Sequence, residues 1–128
     1  VLYCHGNAGD LSDRADPVAR VMDELGESVL VFDYPGFGAS GGRPSEAGCY
    51  AAADAAYDWL AARGVPPERV TVVGVSLGGG VAVDLAARRP ARAVVLVKTF
   101  TSVPDVAADL LLGLPVQPLV RNRFDSLA

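Results

Sequence analysis

The sequence predicts an α/β protein with a doubly wound, mostly parallel sheet between two helical layers. Four short apolar runs alternate with segments in which apolar residues recur at helical spacing. An alternation of this kind is typical of parallel sheets that are covered by helices on both faces. Apolar residues make up 51% of the 128 residues and charged residues 20%, which excludes a disordered chain.

The first half of the chain predicts two strands and two helices. The strands are expected at 1–4 and 28–32, and the first helix lies between them and ends at Gly26. The inward face of that helix is predicted to comprise Ala15, Val18, Ala19, Met22 and Leu25. Glycine and proline in 33–42 predict a loop, and a second helix is expected from about 45 to 63.

The second half continues the alternation. A β-branched run at 70–73 predicts a strand that is buried on both faces, and a third helix follows it and stops at Pro90. The fourth strand is expected at 93–97, and a short apolar helix at 105–112. Functional sites of parallel sheets form at the carboxyl ends of the strands, so the loops after these runs are the candidates.

Charge and composition exclude several classes of function. The net charge is −4, and no basic stripe of the kind that neutralises phosphates is present, so no nucleic-acid partner is expected. The two cysteines and the single histidine have no metal-ligand spacing, so no metal is predicted. No apolar run reaches the roughly 18 to 20 residues that cross a bilayer.

The loop after the third strand has the pattern G-x-S-x-G between a strand and a helix. This context is typical of a nucleophile on a sharp turn, so Ser76 is the predicted nucleophile. Gly74, Gly78 and Gly79 supply room around the turn, and the Leu77 N–H is placed to bind an oxyanion. A phosphate-binding turn is disfavoured because it requires glycine at position 76 or lysine after the last glycine. A helix start without chemistry is the other alternative.

The loop after the first strand begins His5-Gly6-Asn7, a pattern that suggests the other half of an oxyanion site. The Asn7 N–H is the preferred donor, and Ala8 is the second choice. Gly6 allows the backbone to approach a substrate. His5 is predicted to brace this loop rather than to act as a catalytic base.

These motifs together resemble the α/β-hydrolase superfamily, and most of all the branch of lysophospholipases, monoacylglycerol lipases and protein depalmitoylases. The resemblance is carried by 5–9, 32–40 and 74–79, with further similarity at 100–102 and 123–127. It implies that Ser76 is the nucleophile, that Asn7 and Leu77 donate to the oxyanion, and that the substrate is a small or lipid-like acyl compound. No cofactor is implied.

The resemblance also implies an acid and a base that this chain lacks. In this fold an aspartate or glutamate and then a histidine follow the serine, but no histidine follows Ser76. Asp105, Asp109 and Asp125 do not directly follow an apolar strand. We therefore expect 1–128 to be a partial domain, truncated at both ends, that is inactive alone. An unusual triad of His5, Asp33 and Ser76 is the disfavoured alternative.

Two classes of function remain open at this point. The first is a serine hydrolase that cleaves an ester, thioester or amide, including a prolyl-oligopeptidase-like peptidase. The second is a non-catalytic binding module of the same fold. The leucines after the fourth strand either line an acyl pocket or cover the sheet; they are Leu110, Leu111, Leu112 and Leu114.

Overall fold

The computed structural model describes residues 1–7, 15–100, 102 and 123–124, which fold around one parallel sheet. Its four strands are β1 (Leu2–Cys4), β2 (Leu30–Val31), β3 (Thr71–Val75) and β4 (Ala93–Val97). The helices are α1 (Ala15–Leu25), α2 (Glu46–Ala62) and α3 (Leu77–Arg88), and a short 3-10 turn spans Pro67–Arg69. The strand order is β2-β1-β3-β4, so the α/β prediction is confirmed.

The register places β1 and β3 at the centre of the sheet. Tyr3 pairs with Val31 on one side and with Val73 on the other, and Val73 in turn pairs with Val95. All three pairings are parallel, so the carboxyl ends of the four strands share one edge. The loops that carry the predicted motifs therefore meet at this edge.

One face of the sheet carries α2 and α3. Val72 is fully buried there, and Gly74 lies directly under α3, beside Ala82. The Tyr57 hydroxyl of α2 donates to the Pro90 carbonyl just beyond α3, at 2.6 Å. The core also contains a larger set of buried apolar side chains. These are Leu2, Cys4, Tyr34, Cys49, Ala53, Val70, Val81 and Leu85.

The second helix begins and ends where the sequence predicted. Ser45 precedes its first residue, and the Ser45 hydroxyl accepts a hydrogen bond from the Gly48 N–H at 3.1 Å. Gly64 follows its C-cap with a φ of +76°, a conformation that glycine adopts without strain. Two prolines then prevent the helix from continuing.

The predicted inward face of α1 is wrong in part. Ala15, Ala19, Met22 and Leu25 are exposed, with 62% of Leu25 accessible, and only Val18 of that set is half-buried. The reason is a groove of about 500 Å³ between α1 and the sheet, which both Leu25 and residues of β3 and β4 line. The helix lies on the face opposite α2 and α3 but does not seat on it.

The outer strands also differ from the prediction. The second strand was expected at 28–32 but pairs over two residues only, because its single neighbour in the described sheet is the three-residue β1. The residues of β2 are half-buried, whereas a buried strand was predicted. The fourth strand, β4, has its predicted bounds, but all of its residues are exposed. The predicted helix at 105–112 and the four leucines lie outside the described residues.

Candidate active site

Ser76 occupies the turn between β3 and α3, as predicted. Its backbone has φ 53° and ψ −118°. Within the described part of the chain, three residues other than glycine have a positive φ, and Ser76 is one of them. A residue with a side chain pays a strain energy of about 1–3 kcal/mol for such a conformation, and this kind of strain clusters at functional sites. The side chain is half-buried at the carboxyl edge of the sheet.

Glycines make this turn sterically feasible. A Cβ on Gly74 would overlap the Gly78 carbonyl oxygen and lie 2.7 Å from the Ala82 Cβ. A Cβ on Gly78 would overlap the Cys4 carbonyl, because the first turn of α3 lies against the end of β1. Both predicted glycines are therefore required by the close approach of backbones, and this approach brings the two motif loops together.

The backbone of Ser76 is hydrogen-bonded to the end of β4. Its N–H donates to the Val97 carbonyl at 3.0 Å. Its carbonyl accepts from the Gly79 N–H at 2.8 Å and from the Thr99 hydroxyl at 3.1 Å. Sequence patterns did not indicate Thr99, which is 23 residues away from Ser76 and belongs to no local motif.

Gly6 lies beside Ser76. A Cβ on Gly6 would stand 3.3 Å from the Ser76 Cβ and 4.0 Å from its hydroxyl oxygen. Asn7 follows and is exposed, while Ala8, the second-choice donor, lies outside the described residues. The structure thus brings the predicted serine and the start of the predicted oxyanion loop together at one edge.

His5 is fully buried and holds the peptide unit between Gly6 and Asn7. Its Nδ1 lies 2.8 Å from the Gly6 carbonyl oxygen; since that oxygen only accepts, Nδ1 carries the hydrogen. In a trans peptide the C=O and the following N–H point in opposite directions. A carbonyl held by His5 therefore directs the Asn7 N–H away from the His5 ring.

The other ring nitrogen of His5 faces Asp33. Nε2 lies 3.3 Å from the Asp33 Oδ1, and among the described residues neither atom has an aligned hydrogen-bond partner. The imidazole also stacks on Tyr34, at 4.4 Å between ring centroids, and the Tyr34 hydroxyl donates to the His5 carbonyl. Both His5 nitrogens are thus directed at groups other than Ser76, which disfavours the alternative triad.

A second contact that sequence patterns did not indicate joins the start of α2 to residues 123–124. The Glu46 carboxylate accepts hydrogen bonds from the Arg123 N–H at 2.7 Å and the Phe124 N–H at 2.9 Å. The Phe124 ring is buried against Tyr50, at 5.8 Å between centroids. Burial, and after it the hydrogen bond to Glu46, raises the pKa of Tyr50.

Within the described ranges, no group of three or more His, Cys, Asp or Glu side chains is arranged to hold a metal ion. In the same ranges, no helix has both the length and the hydrophobicity needed to cross a membrane.

Known proteins resemble this chain along nearly its whole length. An uncharacterized protein of Mycobacterium tuberculosis is 47% identical over 128 residues, which cover 99% of this chain and 45% of that protein. Alpha/beta hydrolase domain-containing protein 17B of Xenopus laevis is 40% identical over 110 residues, 84% of this chain and 38% of that protein. The chain therefore spans less than half the length of these curated relatives.

Solved structures have the same architecture. The crystal structure of an alpha-beta hydrolase from Vibrio vulnificus superposes with a TM-score of 0.81 at 23% identity, over 98% of this chain and 49% of that one. An esterase of the bacterial hormone-sensitive lipase family gives 0.68 at 26% identity, over 80% and 36%. A family model described as the alpha/beta hydrolase fold matches residues 1–127, and the chain accordingly belongs to the alpha/beta hydrolase family.

Proposed function

We propose that this chain carries the nucleophile and the oxyanion site of a serine hydrolase that cleaves an ester, thioester or amide bond. The observation that carries the proposal is the backbone of Ser76. A strained, positive-φ serine between a parallel strand and a helix projects its hydroxyl from the sheet edge where substrates of this fold class bind.

The proposed reaction has two halves, acylation of Ser76 and hydrolysis of the acyl-serine ester, and each half forms one bond to the acyl carbon and breaks another. The Ser76 oxygen attacks the acyl carbon while a general base takes the hydroxyl proton, and the alcohol, thiol or amine departs with a proton. Water then attacks the acyl-serine ester, which releases the carboxylic acid and returns the proton to Ser76. The negative charge on the carbonyl oxygen in both steps is stabilised by N–H donors that are already in position.

Two backbone donors suit this role. Leu77 is the first residue of α3, so its N–H belongs to the helix end that lacks intrahelical partners. Asn7 belongs to the peptide whose carbonyl accepts from His5, and its loop lies beside Ser76. In this proposal His5 is a positioning residue of the oxyanion site. Glycines leave the room that the two loops need: Gly6, Gly74 and Gly78 where the loops and α3 come close together, and Gly79 beside the Thr99 side chain.

We further propose that the general base and its acid lie outside these 128 residues. The chain has one histidine, and its two nitrogens are directed at Gly6 and Asp33. The relatives are more than twice as long as the segment they share with this chain, which supports the same proposal. The chain alone is then expected to hydrolyse p-nitrophenyl acetate negligibly, because a serine without a base is a weak nucleophile.

The test is labelling of the full-length gene product with a fluorophosphonate probe, followed by mapping of the modified peptide. We expect one labelled residue, Ser76, and complete loss of labelling in Ser76→Ala. Ser28→Ala is the matched control, because Ser28 is exposed at the opposite edge of the sheet. Labelling of another residue, or labelling that persists in Ser76→Ala, contradicts the proposal and favours a non-catalytic module of this fold.

The oxyanion assignment has its own test, because proline lacks the backbone N–H that alanine retains. Removal of one oxyanion donor typically lowers kcat by about 10²–10³-fold, so we expect a loss of that order in Asn7→Pro. Asn7→Ala should lose far less, since only the exposed side chain changes. Equal losses in the two variants would move the donor role away from the Asn7 N–H. Ester, thioester and anilide substrates that share one acyl group then define which bond is cleaved.

A further inference from the structure

Each of the two proposed oxyanion donors is oriented by a side-chain hydrogen bond to the carbonyl of its own peptide unit. On one side, the His5 ring donates to the Gly6 carbonyl and thereby orients the Asn7 N–H. On the other, the Thr99 hydroxyl donates to the Ser76 carbonyl at 3.1 Å. The Ser76 carbonyl and the Leu77 N–H belong to one peptide unit, so a hydrogen bond to the first fixes the direction of the second.

Thr99 reaches this carbonyl through a gap that only glycine leaves. A Cβ on Gly79 would overlap both the hydroxyl oxygen and the Cβ of Thr99. The residue before Thr99, Lys98, has φ 49° and turns the chain so that Val97 and Thr99 both face Ser76. The end of β4 therefore holds the N–H and the carbonyl of the strained serine at the same time.

We propose that Thr99 is a positioning residue of the oxyanion site, which acts through the Ser76 carbonyl on the Leu77 N–H. This inference rests on the proposed function. The Gly79 N–H also donates to the Ser76 carbonyl, but as part of the helical turn it moves together with the peptide that it bonds. The Thr99 hydroxyl comes from the segment that follows β4, so it fixes the direction of that peptide relative to an element other than α3.

The experiment compares Thr99→Val with Thr99→Ser in the full-length gene product. Valine keeps the shape and removes the hydroxyl, whereas serine keeps the hydroxyl and removes the methyl group. We expect Thr99→Val to lower kcat for p-nitrophenyl butyrate, and the rate of fluorophosphonate labelling, by about tenfold, the effect of one lost hydrogen bond of ordinary strength. KM should stay within about twofold, and Thr99→Ser should retain at least about half of the wild-type kcat.

Thr71→Val is the matched control, because Thr71 begins β3 at the opposite edge of the sheet. Urea unfolding verifies that each variant is folded, and Thr99→Ala replaces Thr99→Val if the extra methyl group of valine prevents folding. Wild-type kcat in the variant without the hydroxyl, or equal losses in Thr99→Ser and Thr99→Val, overturns the inference and leaves the proposed function intact. Absence of labelling at Ser76 in the wild-type protein overturns both.

Discussion

Strands β3 and β4 have almost the same composition and very different surroundings. Their sequences are Thr-Val-Val-Gly-Val and Ala-Val-Val-Leu-Val, and they pair residue by residue over their full length. Val72 is fully buried, whereas its partner Val94 is 39% exposed. A central strand has neighbours on both sides, but in the described sheet β4 pairs with β3 alone.

An apolar β-branched run therefore predicts a strand but not the place of that strand in the sheet. Strand formation depends on local preferences, whereas burial depends on which elements pack against the strand afterwards. The candidate site follows this division. Ser76 and Gly6 extend from the central pair. The last carbonyl of the outer strand β4 and the Thr99 hydroxyl just beyond that strand hold the serine from one side.

The largest effect is expected where the central pair meets α3. Gly78→Ala places a Cβ on the Cys4 carbonyl, and backbone cannot move aside as the end of a flexible side chain can. We expect a loss of about 3 kcal/mol or more in the free energy of unfolding, together with loss of labelling at Ser76, because α3 must separate from β1. Urea denaturation of the full-length gene product measures the stability.

The control for this variant is Gly41→Ala. Among the described residues, no atom stands within 4 Å of a Cβ at Gly41, and its φ is not positive, so the same substitution there should change the stability by less than about 1 kcal/mol. If both variants lose the same free energy of unfolding, the close approach of α3 to β1 is not the reason that residue 78 must be glycine.

The second prediction tests the two strands directly. Val72→Ala removes two buried methyl groups, and we expect it to cost about 2 kcal/mol from lost burial and from the cavity left behind. Val95→Ala should cost less than about 1 kcal/mol, since 44% of that side chain is already accessible. Equal losses would mean that β4 is covered in the full-length protein to the same extent as β3.

Sequence patterns predicted what depends on neighbours in the chain. The G-x-S-x-G turn and the helix from about residue 45 to residue 63 depend on residues within four positions of one another, so their pattern is visible. Thr99 and Glu46 were missed, because their hydrogen bonds join residues 23, 77 and 78 positions apart and leave no periodicity. The prediction of the inward face of α1 was wrong for the same reason. The spacing of its apolar residues predicts a helix, but the distance of that helix from the sheet depends on tertiary packing.

The third prediction uses a titration at the centre of the sheet. Burial raises the pKa of Cys4 in β1 from an ordinary value of 9.0 to about 12, and that of Cys49 in α2 to about 11. The unfolded chain therefore releases the thiol proton first as the pH rises. The free energy of unfolding is not reduced by thiol ionisation below pH 9. Between pH 9 and 12 it falls by up to about 1.4 kcal/mol per pH unit because of Cys4.

The measurement is the pH dependence of urea unfolding in the wild-type protein and in Cys4→Ala. The other titratable groups are the same in both proteins, so the difference between the two slopes isolates the thiol. Cys49→Ala provides the matched comparison, with a window that closes near pH 11 instead of 12. Identical slopes above pH 9 in wild type and Cys4→Ala would mean that the centre of the sheet is open to solvent.

The smallest effect is expected on the outer surface of the helical layer, farthest from the central strands. Arg88 of α3 pairs with Asp54 of α2 at 2.6 Å and with Asp84 of its own helix, but 44% of its side chain is exposed. Exposed ion pairs contribute about 0–1 kcal/mol and are screened by salt, so Arg88→Ala should cost at most about 1 kcal/mol, less in 1 M NaCl. Arg20→Ala in α1 is the control, because the described residues give Arg20 no ion pair. A loss above about 2 kcal/mol that 1 M NaCl largely removes would mean that charge, and not mainly the apolar contact around Val72 and Leu85, holds the helices on the central strands.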